Sequence, residues 1–158
     1  MRSTDAKNEL IIGKEYSSKV LKHIQNARSS IYILIFDWRW YSRDVSSDMS
    51  LINNAILRAS QKGVVIKVFC NYASMCDQLK KLGIDAKCWT KTKLMHAKGI
   101  LIDEDTLILG SHNLTQSALT LNVEVSAVLY DKDVCIQFKK YFLSFVLSVE
   151  QTFRFCQY

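Results

Sequence analysis

The six residues Ile31 to Phe36 form a nearly unbroken apolar run, Ile-Tyr-Ile-Leu-Ile-Phe. A run this short, rich in β-branched and aromatic side chains, reads as a strand, and lack of polar alternation means that both its faces are covered. The chain must therefore place packed layers on two sides of a sheet. Periodicity on either side of the run supplies the layers. Leu10 to Ile12 reads as a short strand ended by Gly13, and Glu15 to Arg28 as an amphipathic helix with Tyr16, Val20, Ile24 and Ala27 on one face. Asp37 to Ser47 is polar and aromatic and reads as a loop. Ser50 to Gln61 is helical up to Gly63, Val64 to Cys70 a strand, Ser74 to Leu82 a short helix before Gly83, and Ala86 to Trp89 a strand.

Three strand-like stretches follow, His96 to Ile102, Thr106 to Leu109 and Val123 to Tyr130, with a short helical or irregular link at Leu114 to Leu119. Asp131 is placed to cap a last helix that carries Phe138, Tyr141, Phe142, Phe145 and Val146. The order implies a single α/β domain over residues 1–158, with a mixed, largely parallel sheet and helices on both faces.

Net charge is +6, so the surface attracts polyanions, nucleic acid and anionic lipid alike. Met1 to Glu9 is polar with no apolar segment behind it, and no run approaches the roughly 20 residues of a membrane span. The expectation is a soluble, cytoplasmic protein without stable membrane insertion. Cys70, Cys76, Cys88, Cys135 and Cys156 form no C-x-x-C pair and no zinc-ligand spacing. They read as scattered reduced thiols, with no disulfide framework and no metal role.

Chemistry concentrates after Met95. His96 and Lys98 have the same strand parity, about 7 Å apart along the chain, and can both reach one phosphate. Ser111 and Asn113 share a face by the same logic. Asp103 has the opposite parity and lies in a turn, where it fixes the turn or receives a local hydrogen bond. An imidazole, an ammonium, a hydroxyl and a carboxamide are the groups that phosphoryl transfer needs: a nucleophile, a fixed positive charge and neutral donors. Glu124 is positioned in sequence to orient the second imidazole nitrogen of His96. No carboxylate cluster is present to hold magnesium, so the cationic role falls to Lys98, with no cofactor expected.

This stretch resembles the phospholipase D superfamily, whose signature is H-x-K, four residues, D, six residues, then G-S/G-x-N. His96, Lys98, Asp103, Gly110, Ser111 and Asn113 fit that spacing without a gap, and Asn122-Val123-Glu124-Val125 resembles its acidic position. The resemblance implies a metal-independent phosphodiesterase that acts through a phosphohistidine on one histidine while a second protonates the leaving oxygen. No second H-x-K exists here: His23 is followed by Ala27 and Arg28, and His112 lies inside the motif. The implied site is therefore shared across a homodimer, as in the small single-motif nucleases of that superfamily.

Other residues keep two readings. Trp38, Arg39, Trp40, Tyr41 and Arg43 follow a strand end, where they either stack bases and grip phosphates or pack into the core or an interface. Lys91 and Lys93 either extend a positive groove or are solvated. His112 and His23 read as structural. The leading function is an endonuclease of DNA or RNA. The alternatives are a cardiolipin-type phospholipid phosphodiesterase or phosphatidyl-transfer enzyme, and a non-catalytic nucleic-acid-binding module.

Overall fold

The computed structural model describes residues 7–41, 43–90 and 93–155, with side chains to Ser148. Its elements are β1 (Glu9–Ile12), α1 (Glu15–Gln25), β2 (Ser30–Ile35), α2 (Asp48–Gln61), β3 (Val65–Cys70), α3 (Ala73–Lys81), β4 (Asp85–Cys88), β5 (Lys98–Ile102), β6 (Thr106–Gly110), α4 (Gln116–Thr120), β7 (Val125–Leu129) and α5 (Lys132–Phe155). The strands form one sheet in the order β1-β7-β6-β5-β2-β3-β4.

The apolar run is the central strand β2, buried at every position. Ile31, Ile33 and Ile35 face a core shared with α1 and α2 (Val20, Ile24, Ile52, Ile56), and Tyr32 and Leu34 face Phe138, Phe142 and Phe145 of α5. Two-residue alternation thus sends successive side chains into opposite cores, so neither face tolerates a polar residue. Phe142 lies against both Tyr32 and Phe69, with ring centroids 5.2 and 5.3 Å apart. Gly99 makes room for α5: a Cβ there would meet Phe138 Cε2 at 2.5 Å.

The sheet is mixed with helices on both faces, as expected, but it is not largely parallel. Only β2–β3 and β3–β4 run parallel; the four pairings β1–β7, β2–β5, β5–β6 and β6–β7 are antiparallel. The three-residue link between β5 and β6 leaves no length for a crossover, so that pair must reverse direction. The expected strand from His96 also starts later, at Lys98. Its partner β2 ends at Ile35, opposite Lys98, so β2 has no residue to pair with His96. Among the described residues no helix is long and apolar enough to cross a membrane.

This topology gathers the motif at one edge. The carboxyl ends of the parallel strands β2 and β3 lie beside the start of β5 (Ile35 opposite Lys98), the end of β6 and the start of β7 (Gly110 opposite Ser126). Ligand sites of α/β sheets favour such an edge.

Candidate active site

His96 is exposed, and its ring packs on Phe36, just beyond β2, with centroids 4.8 Å apart. Lys98, the first residue of β5, is only 8% exposed. Its Nζ lies 3.1 Å from both ring nitrogens of His96 and donates to the His96 carbonyl oxygen at 3.0 Å. It also sits 5.2 Å from the Phe36 ring centroid, a cation–π distance. Burial pulls the ammonium below the usual lysine range, partly opposed by the charge of Glu124. Two residues of equal parity thus bring an imidazole and a desolvated positive charge onto one spot, as the sequence implies.

Ser111 and Glu124 form a second unit. The Ser111 hydroxyl donates a short hydrogen bond to Glu124 and accepts from the Val125 N–H at 3.0 Å. Asn122 Nδ2 donates to the other carboxylate oxygen at 3.2 Å. Glu124 therefore bears on Lys98 through its field and is held by Ser111 and Asn122. The expected bond from Glu124 to the His96 ring is not made among the described residues; the carboxylate is held instead by Ser111 and Asn122. Gly110 allows this approach, since a Cβ would run into Ser126.

Asn113 accepts a hydrogen bond from the Asp37 N–H through Oδ1 at 3.2 Å, beside Phe36. Its Nδ2 makes no hydrogen bond among the described residues. A bridge between Trp38 and Leu114 fixes this loop pairing.

Asp103 lies far from this edge and serves the frame. Its carboxylate accepts from the N–H groups of Arg28 (3.0 Å), Ser29 (2.8 Å) and Ser30 (3.2 Å) and from the Ser29 hydroxyl (3.0 Å). The structural role matches the sequence reading, but the bonds reach back across the chain to the α1–β2 link rather than staying in the turn. Asp103 and Glu104 both have positive φ (51° and 62°), the sign pattern of a type I′ turn.

His112 is buried and stacks on Tyr16, with centroids 4.2 Å apart and planes 13° from parallel. Its Nε2 lies 2.9 Å from the Gly13 carbonyl and Nδ1 2.8 Å from Ser126 Oγ. A carbonyl only accepts, so Nε2 carries the hydrogen and Nδ1 accepts from Ser126: a neutral ring with both nitrogens satisfied. Burial holds its pKa below the ordinary histidine value. His23 is half-buried against Tyr130.

Of the two readings for the tryptophans, the structure takes the core and not the stacking one. Trp38 is 1% exposed and donates from Nε1 to Asn53 Oδ1 at 2.8 Å, and Trp40 packs partly buried against the same core. The bridge to Leu114 turns Trp38 inward, where its ring fills space between α2 and the sheet. Arg39 remains exposed, paired with Asp37 at 2.9 Å and lying over the Tyr72 ring at 5.2 Å. Arg43 and Lys93 are exposed, and Lys91 lies outside the described residues.

Phe36, Tyr72 and Asn71, which the sequence did not single out, complete the site together with Arg39. Phe36, Tyr72 and Arg39 form a row that leads away from His96, with Phe36 and Tyr72 centroids 6.2 Å apart. Asn71 Nδ2 donates to the carbonyls of Phe36 (3.2 Å) and Met95 (2.7 Å), clamping the end of β2 to the segment that carries His96. The available signal was its place, a polar residue directly after the apolar strand ending at Cys70. On the other side of His96, a groove of about 360 Å³ runs along α5, lined by Trp89, Leu94, Met95, Ala97, Tyr141 and Phe145 among others. Among the described residues no group of three or more His, Cys, Asp or Glu is placed to hold a metal ion.

A family model described as "Cardiolipin synthase, PLD-like domain" matches residues 20–146. A mitochondrial cardiolipin hydrolase of Danio rerio is 29% identical over 133 residues, covering 80% of this chain and 55% of that protein. The chain thus spans about half the length of that curated relative. Among solved structures, NucT from Helicobacter pylori superposes with a TM-score of 0.71 at 21% identity, over 90% of this chain and 96% of that one. Nuc from Salmonella typhimurium, described as a phospholipase D family member, gives 0.72 at 20% identity, over 87% and 93%. At these identities the two structures carry the fold, a mixed sheet between helical layers.

Proposed function

This chain belongs to the phospholipase D-like family, and from that premise we propose that it is a metal-independent phosphodiesterase, an endonuclease of DNA or RNA, that works through a phosphohistidine on His96 in a site shared by two copies of the chain. The observation that carries the reading is the seating of Lys98, a buried ammonium 3.1 Å from the ring nitrogens of an exposed imidazole. A desolvated charge is costly and gains most where a phosphate oxygen replaces its lost water.

In the reaction a His96 nitrogen attacks phosphorus and forms a P–N bond as the bond to the leaving oxygen breaks. That oxygen takes a proton from the His96 of the partner subunit, on the opposite side of phosphorus. Water, deprotonated by that same imidazole, then displaces His96. Lys98 and the Nδ2 donors of Asn113 bind the non-bridging oxygens as charge builds on them.

An uncovered apolar surface supports the second copy. α5 lies over β2, β5 and β6, and beyond it Leu10, Ile12, Leu109 and Val125 are exposed on one sheet face, next to Ser111 and Glu124. A self-complementary patch beside a half-complete site fits a two-fold interface. Mixing wild type with His96→Ala subunits tests this: a shared site loses activity as the square of the wild-type fraction, whereas independent sites lose it linearly.

The basic balance and the Phe36–Tyr72–Arg39 row favour nucleic acid, since rings stack bases and a guanidinium grips phosphate. The groove beside His96 favours the second reading, a phospholipid phosphodiesterase or phosphatidyl-transfer enzyme, because its apolar lining fits an acyl chain. Incubation with single-stranded DNA and with cardiolipin vesicles in parallel separates them. The expected result is DNA cleavage that survives EDTA and is lost in His96→Ala. Cleavage that EDTA abolishes refutes the mechanism, and turnover of cardiolipin alone replaces the substrate.

A further inference from the structure

Three cysteines that are scattered in the sequence converge at the carboxyl ends of β3 and β4. Cys70 and Cys76 are fully buried with their Sγ atoms 2.8 Å apart. Cys88 stands opposite Cys70 in the β3–β4 ladder, is half-buried, and its Sγ lies 3.3 Å from the Asn71 carbonyl oxygen. The hydrogen bond from Cys76 holds the Cys70 thiol below the usual cysteine range, and the same bond pushes Cys76 far up. The pair is thus polarised into a nucleophilic sulfur and a donor.

Only five residues separate the two cysteines, and the first of them is Asn71, the clamp on the carbonyls of Phe36 and Met95. Tyr72, which follows, lies beneath Arg39. A covalent bond between the sulfurs would draw them about 0.8 Å closer, to the usual length of about 2.0 Å. That motion acts on the short segment holding the His96 loop.

We propose that Cys70 and Cys76 form a reversible disulfide when the protein meets a peroxide, with Cys88 as the entry thiol, and that closure shifts the Asn71 clamp on His96. The Cys88 sulfur attacks the O–O bond; one oxygen stays on sulfur as a sulfenic acid and the other leaves as water. Cys70, the polarised sulfur standing opposite Cys88, then displaces that hydroxyl as a second water, forming a Cys70–Cys88 bond. Cys76 attacks the Cys70 sulfur, and its proton passes to Cys88 as that leaves as a thiol. In sum, one hydrogen peroxide becomes two waters and two thiols lose their hydrogens. Cross-linking depends on no role for His96, and only its consequence for catalysis rests on the proposed function.

The test is peptide mapping of the wild-type chain after hydrogen peroxide treatment and alkylation of the remaining thiols. The Cys70 and Cys76 peptides should be joined, and dithiothreitol should free them. Cys88→Ser should slow joining on the order of tenfold, while Cys135→Ser, which lies in the other core, should not. In NMR of the imidazoles, the His96 signal should move on oxidation and return on reduction while that of His23 stays. Full alkylation of both Cys70 and Cys76 after peroxide overturns the site. A joined pair with an unmoved His96 signal overturns the coupling, and neither readout requires enzyme activity.

Discussion

Asp103→Ala is expected to destabilise the fold without touching the chemistry, although Asp103 belongs to the sequence motif. The carboxylate accepts three backbone N–H groups and one hydroxyl from residues 28–30. Removing it leaves donors that are partly within reach of water, so about 1 kcal/mol for each backbone bond, the low end for lost partners, is a fair measure. Alanine also tolerates the positive φ of 51° poorly, adding about 1 kcal/mol. The total is about 4 kcal/mol, which for a chain of this size lowers Tm by roughly 12 °C. Asparagine keeps one acceptor and tolerates the left-handed backbone, so Asp103→Asn should cost about half as much.

Burial alone would raise the Asp103 pKa, but the N–H groups of Ser29, Arg28 and Ser30 with the Ser29 hydroxyl outweigh it and hold the carboxyl low. A depressed folded-state pKa stabilises above the unfolded value of about 3.9, and the gain is lost as pH falls through the folded value. The gap between wild type and Asp103→Ala should therefore be constant at neutral pH and shrink on acidification below about pH 4. Urea unfolding followed by tryptophan fluorescence measures both quantities, and kcat is measured well below the melting range. A variant within about 0.5 kcal/mol of wild type, or one with normal stability and lost kcat, refutes the structural assignment.

Lys98→Met should lower kcat by about a thousandfold, and in the wild type the alkaline limb of activity should fall below the ordinary lysine range, because burial depresses the ammonium; an alkaline limb at the ordinary lysine value counts against that. His112 also has a depressed folded-state pKa, so stability should be full above the unfolded value of about 6.5 and drop as pH falls from there; urea midpoints should show a flatter pH dependence in His112→Gln. Trp38→Phe strips Asn53 Oδ1 of its donor and should cost about 1–3 kcal/mol by urea unfolding while leaving affinity for single-stranded DNA unchanged.

The positions of strands and helices were legible because apolar periodicity records burial directly. Ile31 to Phe36 announces a doubly covered strand, and the aromatic spacing of the last helix announces the face that covers it. Strand direction was not legible in the same way, since Val125 to Leu129 reads alike whether its neighbour runs parallel or antiparallel. The motif was legible where neighbours in sequence are neighbours in space, as with His96 and Lys98. It failed where the partner is distant. Trp38 keeps both a stacking and a core reading until Leu114 is known to pair with it, Asp103 reads as a local turn residue until residues 28–30 arrive, and Glu124 as a partner of His96 until Ser111 and Asn122 are seen to hold it. Asn71 shows in the sequence only as a polar residue directly after an apolar strand, and its two acceptors come from separate segments.

His112 also bears on where this protein can be cut. The family match begins at residue 20, inside α1, yet the His112 ring proton ends on the carbonyl of Gly13, and the Gly13 N–H is in turn bonded to the Glu124 carbonyl at 3.0 Å. A fragment trimmed to the matched region would lose that acceptor and the whole of β1, stripping β7 of one of its two antiparallel neighbours. It would carry a stranded imidazole in its interior and a raw sheet edge outside, the combination that invites aggregation. Gene dissection, fusion design and domain transplantation should therefore keep the residues from Glu9 onward with the motif they buttress.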